Sequence, residues 1–177
     1  MPTSKPFDYV DEAHITASGY YYGEQITFER FKKVLKEAIA ALQALDQIKK
    51  GLFYGKGIDF AGEADSCAPF PLWISSNEEE GRNILHGIVG AATETGELLE
   101  ALHACVIENK TFDLTNVGEE VGDCFWYFAL LAKACNFTFN EAQEKNIAKL
   151  RARYTNKFTK ADAVNRNLIA ERKILEK

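Results

Sequence analysis

The sequence is poor in the residues that bind zinc. Its 177 residues include 4 cysteines and 3 histidines, and no two cysteines have the Cys-x-x-Cys spacing. Zinc sites usually show closely spaced pairs of such residues, so a zinc centre is not expected. Three cysteines, Cys105, Cys124 and Cys135, lie in mostly apolar helical stretches. This predicts buried, reduced thiols and a reducing, cytoplasmic location.

The sequence also lacks long apolar runs and an excess of basic residues. No run of about 18 apolar residues predicts a membrane span, and no apolar signal region follows the first residue, so no membrane partner is expected. The formal charge is −5, from 26 acidic and 21 basic residues. Nonspecific binding of nucleic acid requires a basic surface that neutralises phosphates, so nucleic acid is not an expected partner either.

Apolar residues recur with the period of an α-helix through most of the chain, and no stretch reads as a β-strand. We therefore predict an all-α fold, an antiparallel bundle of about four core helices plus a C-terminal helix. The length predicts a single domain over residues 1–177, with an irregular N-terminal arm over 1–25 and a long glycine- and proline-rich loop over 51–71. The predicted helices cover about residues 27–49, 77–108, 117–134, 140–154 and 160–176.

Two matched pairs of acidic residues are the most informative feature. Glu94 and Glu97 lie in the second predicted helix, and Glu120 and Asp123 lie in the third. Each pair has i, i+3 spacing, which places both carboxylates on one face of a helix, where like charges repel unless a cation lies between them. The two helices are joined by a short connection and should be antiparallel neighbours. The four carboxylates are therefore predicted to form one cage.

Carboxylate oxygens without histidine or cysteine favour Mg²⁺, with Mn²⁺ as a possible substitute. Gly96 and Gly122 precede the last acid of each pair, which indicates close helix approach or room for a ligand. One alternative is a solvated acidic face paired with lysine and arginine. Another is a ferritin-like di-iron bundle, but that requires Glu-x-x-His motifs, which the sequence lacks.

Three segments of the chain form a distinctive set: Thr93-Glu-Thr-Gly-Glu97-Leu-Leu-Glu100, Glu119-Glu-Val-Gly-Asp123-Cys-Phe-Trp-Tyr127 and Asn146-Ile-Ala-Lys149-Leu-Arg-Ala-Arg153-Tyr154. Together they resemble the MazG-like all-α nucleoside triphosphate pyrophosphohydrolases of the phage and bacterial single-domain type. The resemblance covers about residues 80–170. It implies Mg²⁺-dependent cleavage of a nucleoside triphosphate between the α- and β-phosphates, and a homodimer or homotetramer. It also implies that Glu94, Glu97, Glu120 and Asp123 are the metal ligands.

The last of these segments supplies candidate substrate ligands. Asn146, Lys149 and Arg153 share one helix face and suit phosphate oxygens, an interpretation that depends mainly on the resemblance. Tyr154 and Trp126 are candidates for stacking on a base, although core packing is the ordinary role of such a tryptophan.

A carboxylate of the cage, Glu97 or Glu120, is the predicted catalytic residue that activates water. The alternative function is a non-catalytic helical oligomer that binds metal or nucleotide as a regulator or adaptor.

Overall fold

A computed structural model describes residues 8–57, 76–154 and 157–176. Over these ranges the chain forms seven α-helices and one short 3₁₀ turn and contains no β-strand, so the predicted all-α fold class is confirmed. The chain divides into two compact units, residues 24–136 and residues 1–23 with 137–177. The helices are α1 (Tyr9–Thr16), α2 (Phe28–Tyr54), α3 (Glu78–Val106), α4 (Leu114–Ala134), α5 (Phe139–Arg153), α6 (Lys160–Val164) and α7 (Leu168–Leu175).

In the unit of residues 24–136, α3 packs against both α2 and α4, and each neighbour runs antiparallel to it. Two glycines of α3 allow this close packing. A Cβ atom at Gly90 would lie 2.0 Å from Cδ1 of Tyr127 on α4, and one at Gly96 would lie 2.9 Å from Cβ of Leu42 on α2. Gly96 therefore permits the close helix approach that the sequence indicated, whereas a Cβ at Gly122 would meet nothing within 4 Å.

The helix ends in this unit are set by capping side chains. Asn77 caps α3 by accepting hydrogen bonds from the backbone N–H groups of Glu79 and Glu80. Asp113 caps α4 in the same way, so α4 begins three residues before the predicted start at 117. Gly55 ends α2 in the left-handed conformation, with φ of 64°. Helix α2 thus continues past the predicted end at residue 49.

The other unit contains α1, α5, α6 and α7, with α5 in contact with both α1 and α7. The prediction of an irregular arm over 1–25 was wrong for α1, which is short, weakly amphipathic and capped by Asp8. The single helix predicted over 160–176 is instead two, because Asn165 ends α6 and Asn167 caps α7.

Most of the predicted loop over 51–71 lies outside the described residues, as does Cys67; residues 51–54 form the last turn of α2. Across the described residues, no helix combines the length and the apolar character that crossing a membrane requires.

Candidate active site

Three of the four predicted carboxylates come together between α3 and α4. Glu94, Glu97 and Glu120 each place one oxygen within 4.8 Å of the oxygens of the other two. Glu94 and Glu120 are 6% and 5% exposed, whereas Glu97 is exposed. Asp123 lies one turn beyond Glu120 on α4; it is exposed and does not join this three-residue cluster. We call Glu94, Glu97 and Glu120 the acid cluster.

The acid cluster has too little positive charge around it. Burial, followed by the charges of Glu97 and Glu94, raises the pKa of Glu120 to about 7. Burial and the charges of Glu94 and Asp46 likewise raise the pKa of Glu97. Both shifts reflect carboxylates held together without sufficient counter-charge, and a bound cation would relieve the repulsion.

The donor set fits a hard divalent cation. All three groups offer oxygen, and ligands of one Mg²⁺ ion lie about 3–4 Å apart because each Mg–O distance is about 2.1 Å. Oxygens that already lie within 4.8 Å of one another therefore need only a small side-chain movement to share one ion.

Sequence reasoning missed a lysine that contacts the acid cluster. Lys49 of α2 is 3% exposed, and its ammonium group donates to Oγ1 of Thr93 at 2.7 Å and to Oε1 of Glu94 at 2.8 Å. It also lies 3.1 Å from Oδ1 of Asp46. Burial lowers the pKa of Lys49, but the bonds to Glu94 and Asp46 outweigh this effect and raise it. The lysine is therefore a permanent cation at the edge of the cluster.

The sequence did contain a signal for Lys49. Leu35 and Leu42 precede it by fourteen and seven residues, so all three lie on the same face of α2. A lysine at a position where the pattern requires an apolar residue indicates a buried partner of opposite charge.

Aromatic residues of α2 and α4 surround His86 of α3 in the same unit. The ring of Phe53 stacks on His86 with centroids 3.8 Å apart, and Tyr54 and Tyr127 share a hydrogen bond of 3.1 Å between their hydroxyl groups. Trp126 contacts His86 and Tyr127 edge-on and is 53% exposed. Trp126 is thus only partly packed, which leaves ring surface for a ligand.

Buried polar groups accompany these rings. Nε2 of His86 is buried and has no hydrogen-bond partner among the described residues. Burial and the charge of Lys49 lower the pKa of His86, which favours the neutral ring. Burial and the hydrogen bond with Tyr54 raise the pKa of Tyr127 to about 12, so its hydroxyl keeps its proton.

Two cavities adjoin the acid cluster. One, of about 530 Å³, is lined by Glu97, Glu100 and Glu120 together with Lys36 and Lys110. The other, of about 540 Å³, is also lined by Glu97 and Glu100. Both volumes lie in the range of small-molecule sites, so the carboxylates face space in which a nucleotide or water can be placed.

The predicted phosphate ligands belong to the other compact unit. Asn146 of α5 accepts a hydrogen bond from the hydroxyl of Tyr9 at 3.4 Å, and Lys149 is partly exposed. Tyr154 caps the end of α5, is 6% exposed and contacts the ring of Phe158. Tyr154 therefore has a packing role within its own unit.

Arg153 forms a two-bond ion pair. Its Nε and Nη2 atoms donate to the two carboxylate oxygens of Glu171 at 2.9 and 2.6 Å, and Arg166 donates to the same oxygens at 3.3 and 2.6 Å. These bonds lower the pKa of Glu171 to about 2. Two guanidinium groups thus share one carboxylate, which leaves a net positive charge at the end of α5.

Comparison with known families agrees with this geometry. Residues 86–158 match the family model of the MazG nucleotide pyrophosphohydrolase domain, a range that contains all the predicted site residues. No curated protein and no solved structure matches the chain. The predicted resemblance to MazG-like proteins is confirmed, and the match indicates a nucleoside triphosphate pyrophosphohydrolase, which is a hydrolase.

Proposed function

We propose that the protein is a Mg²⁺-dependent enzyme that converts a nucleoside triphosphate to the monophosphate and pyrophosphate. The match of residues 86–158 to the MazG pyrophosphohydrolase model supports this proposal. The observation that carries the proposal is the acid cluster, in which three carboxylates from two helices lie within 4.8 Å of one another. Mn²⁺ is an expected substitute because it accepts the same oxygen ligands.

Glu94, Glu97 and Glu120 would hold the metal, with Asp123 as a fourth ligand that joins from the next turn of α4. When bound, Mg²⁺ supplies positive charge that offsets the phosphate oxygens and makes water more acidic. Glu97 and Glu120 both line the cavity of about 530 Å³, where water has access to them. One of these two carboxylates takes a proton from the water that attacks the α-phosphate.

The remaining predicted residues bind the nucleotide. Lys149 and Arg153 hold the departing pyrophosphate, and Asn146 contributes an amide on the same face of α5. The net positive charge of Arg153 and Arg166 around Glu171 supports this role, since a phosphate oxygen can accept hydrogen bonds from the same guanidinium groups. Trp126 is half-exposed and offers a stacking face for the base, whereas the burial of Tyr154 favours an indirect role, in which it positions Arg153.

We also propose that the protein is a cytoplasmic homodimer or homotetramer. Free thiols at Cys105 and Cys124 are compatible with a reducing compartment. Exposed apolar residues on one flank of α4 support assembly: Leu114, Val121, Phe125 and Phe128.

The decisive experiment measures pyrophosphate released from a panel of canonical and modified ribo- and deoxyribonucleoside triphosphates with Mg²⁺. We expect release from at least one substrate, and loss of release with EDTA and in the Glu120→Gln variant. Tight nucleotide binding without pyrophosphate release from any substrate would instead favour the regulator or adaptor function.

A further inference from the structure

Lys49 occupies one side of the acid cluster with an unusually complete set of contacts. Its ammonium group has three oxygen partners, on Thr93, Glu94 and Asp46, at 2.7, 2.8 and 3.1 Å. The ring of Tyr127 lies on a further side, with its centroid 5.1 Å from the nitrogen. Two of these contacts are hydrogen bonds, to Thr93 and Glu94, and the third is an ion pair with Asp46. Lys49 is therefore fixed in place.

Two of the carboxylates near Lys49 have a lysine partner. Lys49 compensates Glu94, and Lys50 forms an ion pair with Oδ2 of Asp46 on the outer side of α2. Within the acid cluster itself, this leaves Glu97 and Glu120 without a lysine partner among the contacts found in the described residues. Two uncompensated negative charges match one divalent cation.

We propose that Lys49 is a built-in cation that takes the place of a second metal ion and limits the nucleotide-free protein to one weakly bound divalent cation. It holds Oε1 of Glu94, which would leave the other oxygen of Glu94 for a metal ion alongside the other proposed ligands. Lys49 does not contact the substrate and acts as a positioning residue. This role rests on the proposed metal site, and in it the charge of Lys49 sets how tightly that site binds a cation.

Two effects of Lys49 on metal binding oppose each other. Its hydrogen bond fixes Glu94, which favours binding by reducing the number of side-chain conformations. Its ammonium group lies 2.8 Å from Oε1 of Glu94, a proposed metal ligand, so its charge would disfavour a dication there by about an order of magnitude or more. The charge effect is the larger, so removing the lysine should tighten metal binding.

The test measures Mn²⁺ binding to nucleotide-free protein from the electron paramagnetic resonance signal of free Mn²⁺. We expect one Mn²⁺ per wild-type chain and a dissociation constant about tenfold lower for Lys49→Met. The matched control is Lys50→Met, which removes the neighbouring lysine that pairs with Asp46 but does not contact Glu94; its dissociation constant should stay within about threefold of wild type. Structural damage would weaken binding, so it cannot mimic the expected tightening.

An unchanged or weaker Mn²⁺ affinity in folded Lys49→Met overturns the inference. If this variant does not fold, as judged by circular dichroism, the comparison moves to Glu94→Gln with and without Lys49→Met. In Glu94→Gln, Lys49 keeps its charge and has only Asp46 as a carboxylate partner, and the double variant removes the lysine as well. The double variant should bind Mn²⁺ about tenfold more tightly than Glu94→Gln, and equal affinities would overturn the inference.

Pyrophosphate release by the wild type separates this inference from the proposed function. Absence of release from every nucleotide, combined with the expected change in Mn²⁺ affinity, would reject the enzyme and leave the role of Lys49 intact. Normal pyrophosphate release by the wild type, combined with equal Mn²⁺ affinities of the wild type and Lys49→Met, would reject only the role of Lys49.

Discussion

Glu97 and Glu120 differ from Glu94 because they have no lysine partner among the contacts found and line the same cavity. Replacing either by glutamine keeps the side-chain size but removes the charge that holds the metal and accepts a proton. We expect each of Glu97→Gln and Glu120→Gln to lower pyrophosphate release at saturating Mg²⁺ by about 100-fold or more. The measurement is the initial rate of pyrophosphate formation on the best substrate of the panel.

The control for these variants is Glu119→Gln, which removes an exposed carboxylate adjacent to Glu120 in sequence. Its rate should stay within about threefold of wild type, because an exposed charge acts only weakly through solvent. Equal losses of rate in Glu119→Gln and Glu120→Gln would mean that the overall negative charge of α4, and not the acid cluster, supports the reaction.

At the level of single residues, sequence reasoning worked where a short helical spacing determined the geometry. The i, i+3 spacing of Glu94 and Glu97 was sufficient to place both on one face of α3, and Glu120 followed from the antiparallel connection to α4. Lys49 could not be assigned in the same way, because its contact with Glu94 joins residues 45 positions apart. Such contacts depend on helix packing, which spacing within one segment does not determine.

Among the helices, the glycines of α3 and α4 provide a matched pair for testing how closely packing is constrained. A Cβ at Gly90 would overlap the ring of Tyr127, whereas one at Gly122 would meet nothing within 4 Å. We expect Gly90→Ala to lower the free energy of unfolding by about 1–3 kcal/mol. Gly122→Ala should raise it by about 0.5–1 kcal/mol, because alanine restricts the unfolded chain and favours the helix.

Chemical denaturation of the two glycine variants in the absence of metal measures both changes. Equal stabilisation by both substitutions would show that Tyr127 moves without cost, and that the contact between α3 and α4 is looser than the structure indicates.

The ion pairs between α5 and α7 predict a dependence of stability on acid pH. Bonds from Arg153 and Arg166 lower the pKa of Glu171 from 4.5 to about 2. A carboxylate with a lowered pKa in the folded state stabilises the protein above pH 4.5, and this contribution is lost as the pH falls from 4.5 towards 2. We expect the denaturation midpoint of the wild type to fall more steeply over this range than that of Glu171→Gln.

The exposed Glu176 supplies the comparison for Glu171, since it lies in the next turn and pairs with Arg172 at the surface. Glu176→Gln should follow the wild-type pH dependence, because exposed pairs contribute little to stability. The same slope for Glu171→Gln and the wild type would show that the paired guanidinium groups do not stabilise the contact between α5 and α7.

Helices were predictable to the extent that they were long and amphipathic. The repeating apolar residues of α2, α3 and α4 gave their positions, whereas their ends depend on capping residues such as Asp113, which periodicity does not identify. The short helices α1, α6 and α7 have 8, 5 and 8 residues. Isolated helices of this length are unstable in water, so periodicity alone could not place them. Their N-caps, Asp8, Thr159 and Asn167, and the contacts of α1 and α7 with α5 help to decide where they form.

For the whole molecule, the exposed flank of α4 is the feature that a single chain leaves unexplained. Val121 and Phe128 are 40% and 43% exposed, and Leu114 and Phe125 of the same flank are more exposed still. Apolar residues clustered in this way usually mark a protein contact. The resemblance to MazG-like proteins implied a dimer or tetramer, and this flank is the surface on which we expect the chains to meet.

Phe128→Glu tests this assembly directly. Burying an unpaired carboxylate in an apolar contact costs roughly 3–5 kcal/mol, which raises the dissociation constant more than 100-fold. We expect light scattering after size-exclusion chromatography to give a dimer or tetramer mass for the wild type and a monomer mass for Phe128→Glu. Ile88→Glu is the control, since Ile88 is 53% exposed on α3 and lies outside the α4 flank. A monomeric wild type, or dissociation by Ile88→Glu but not by Phe128→Glu, would place the contact elsewhere or exclude it.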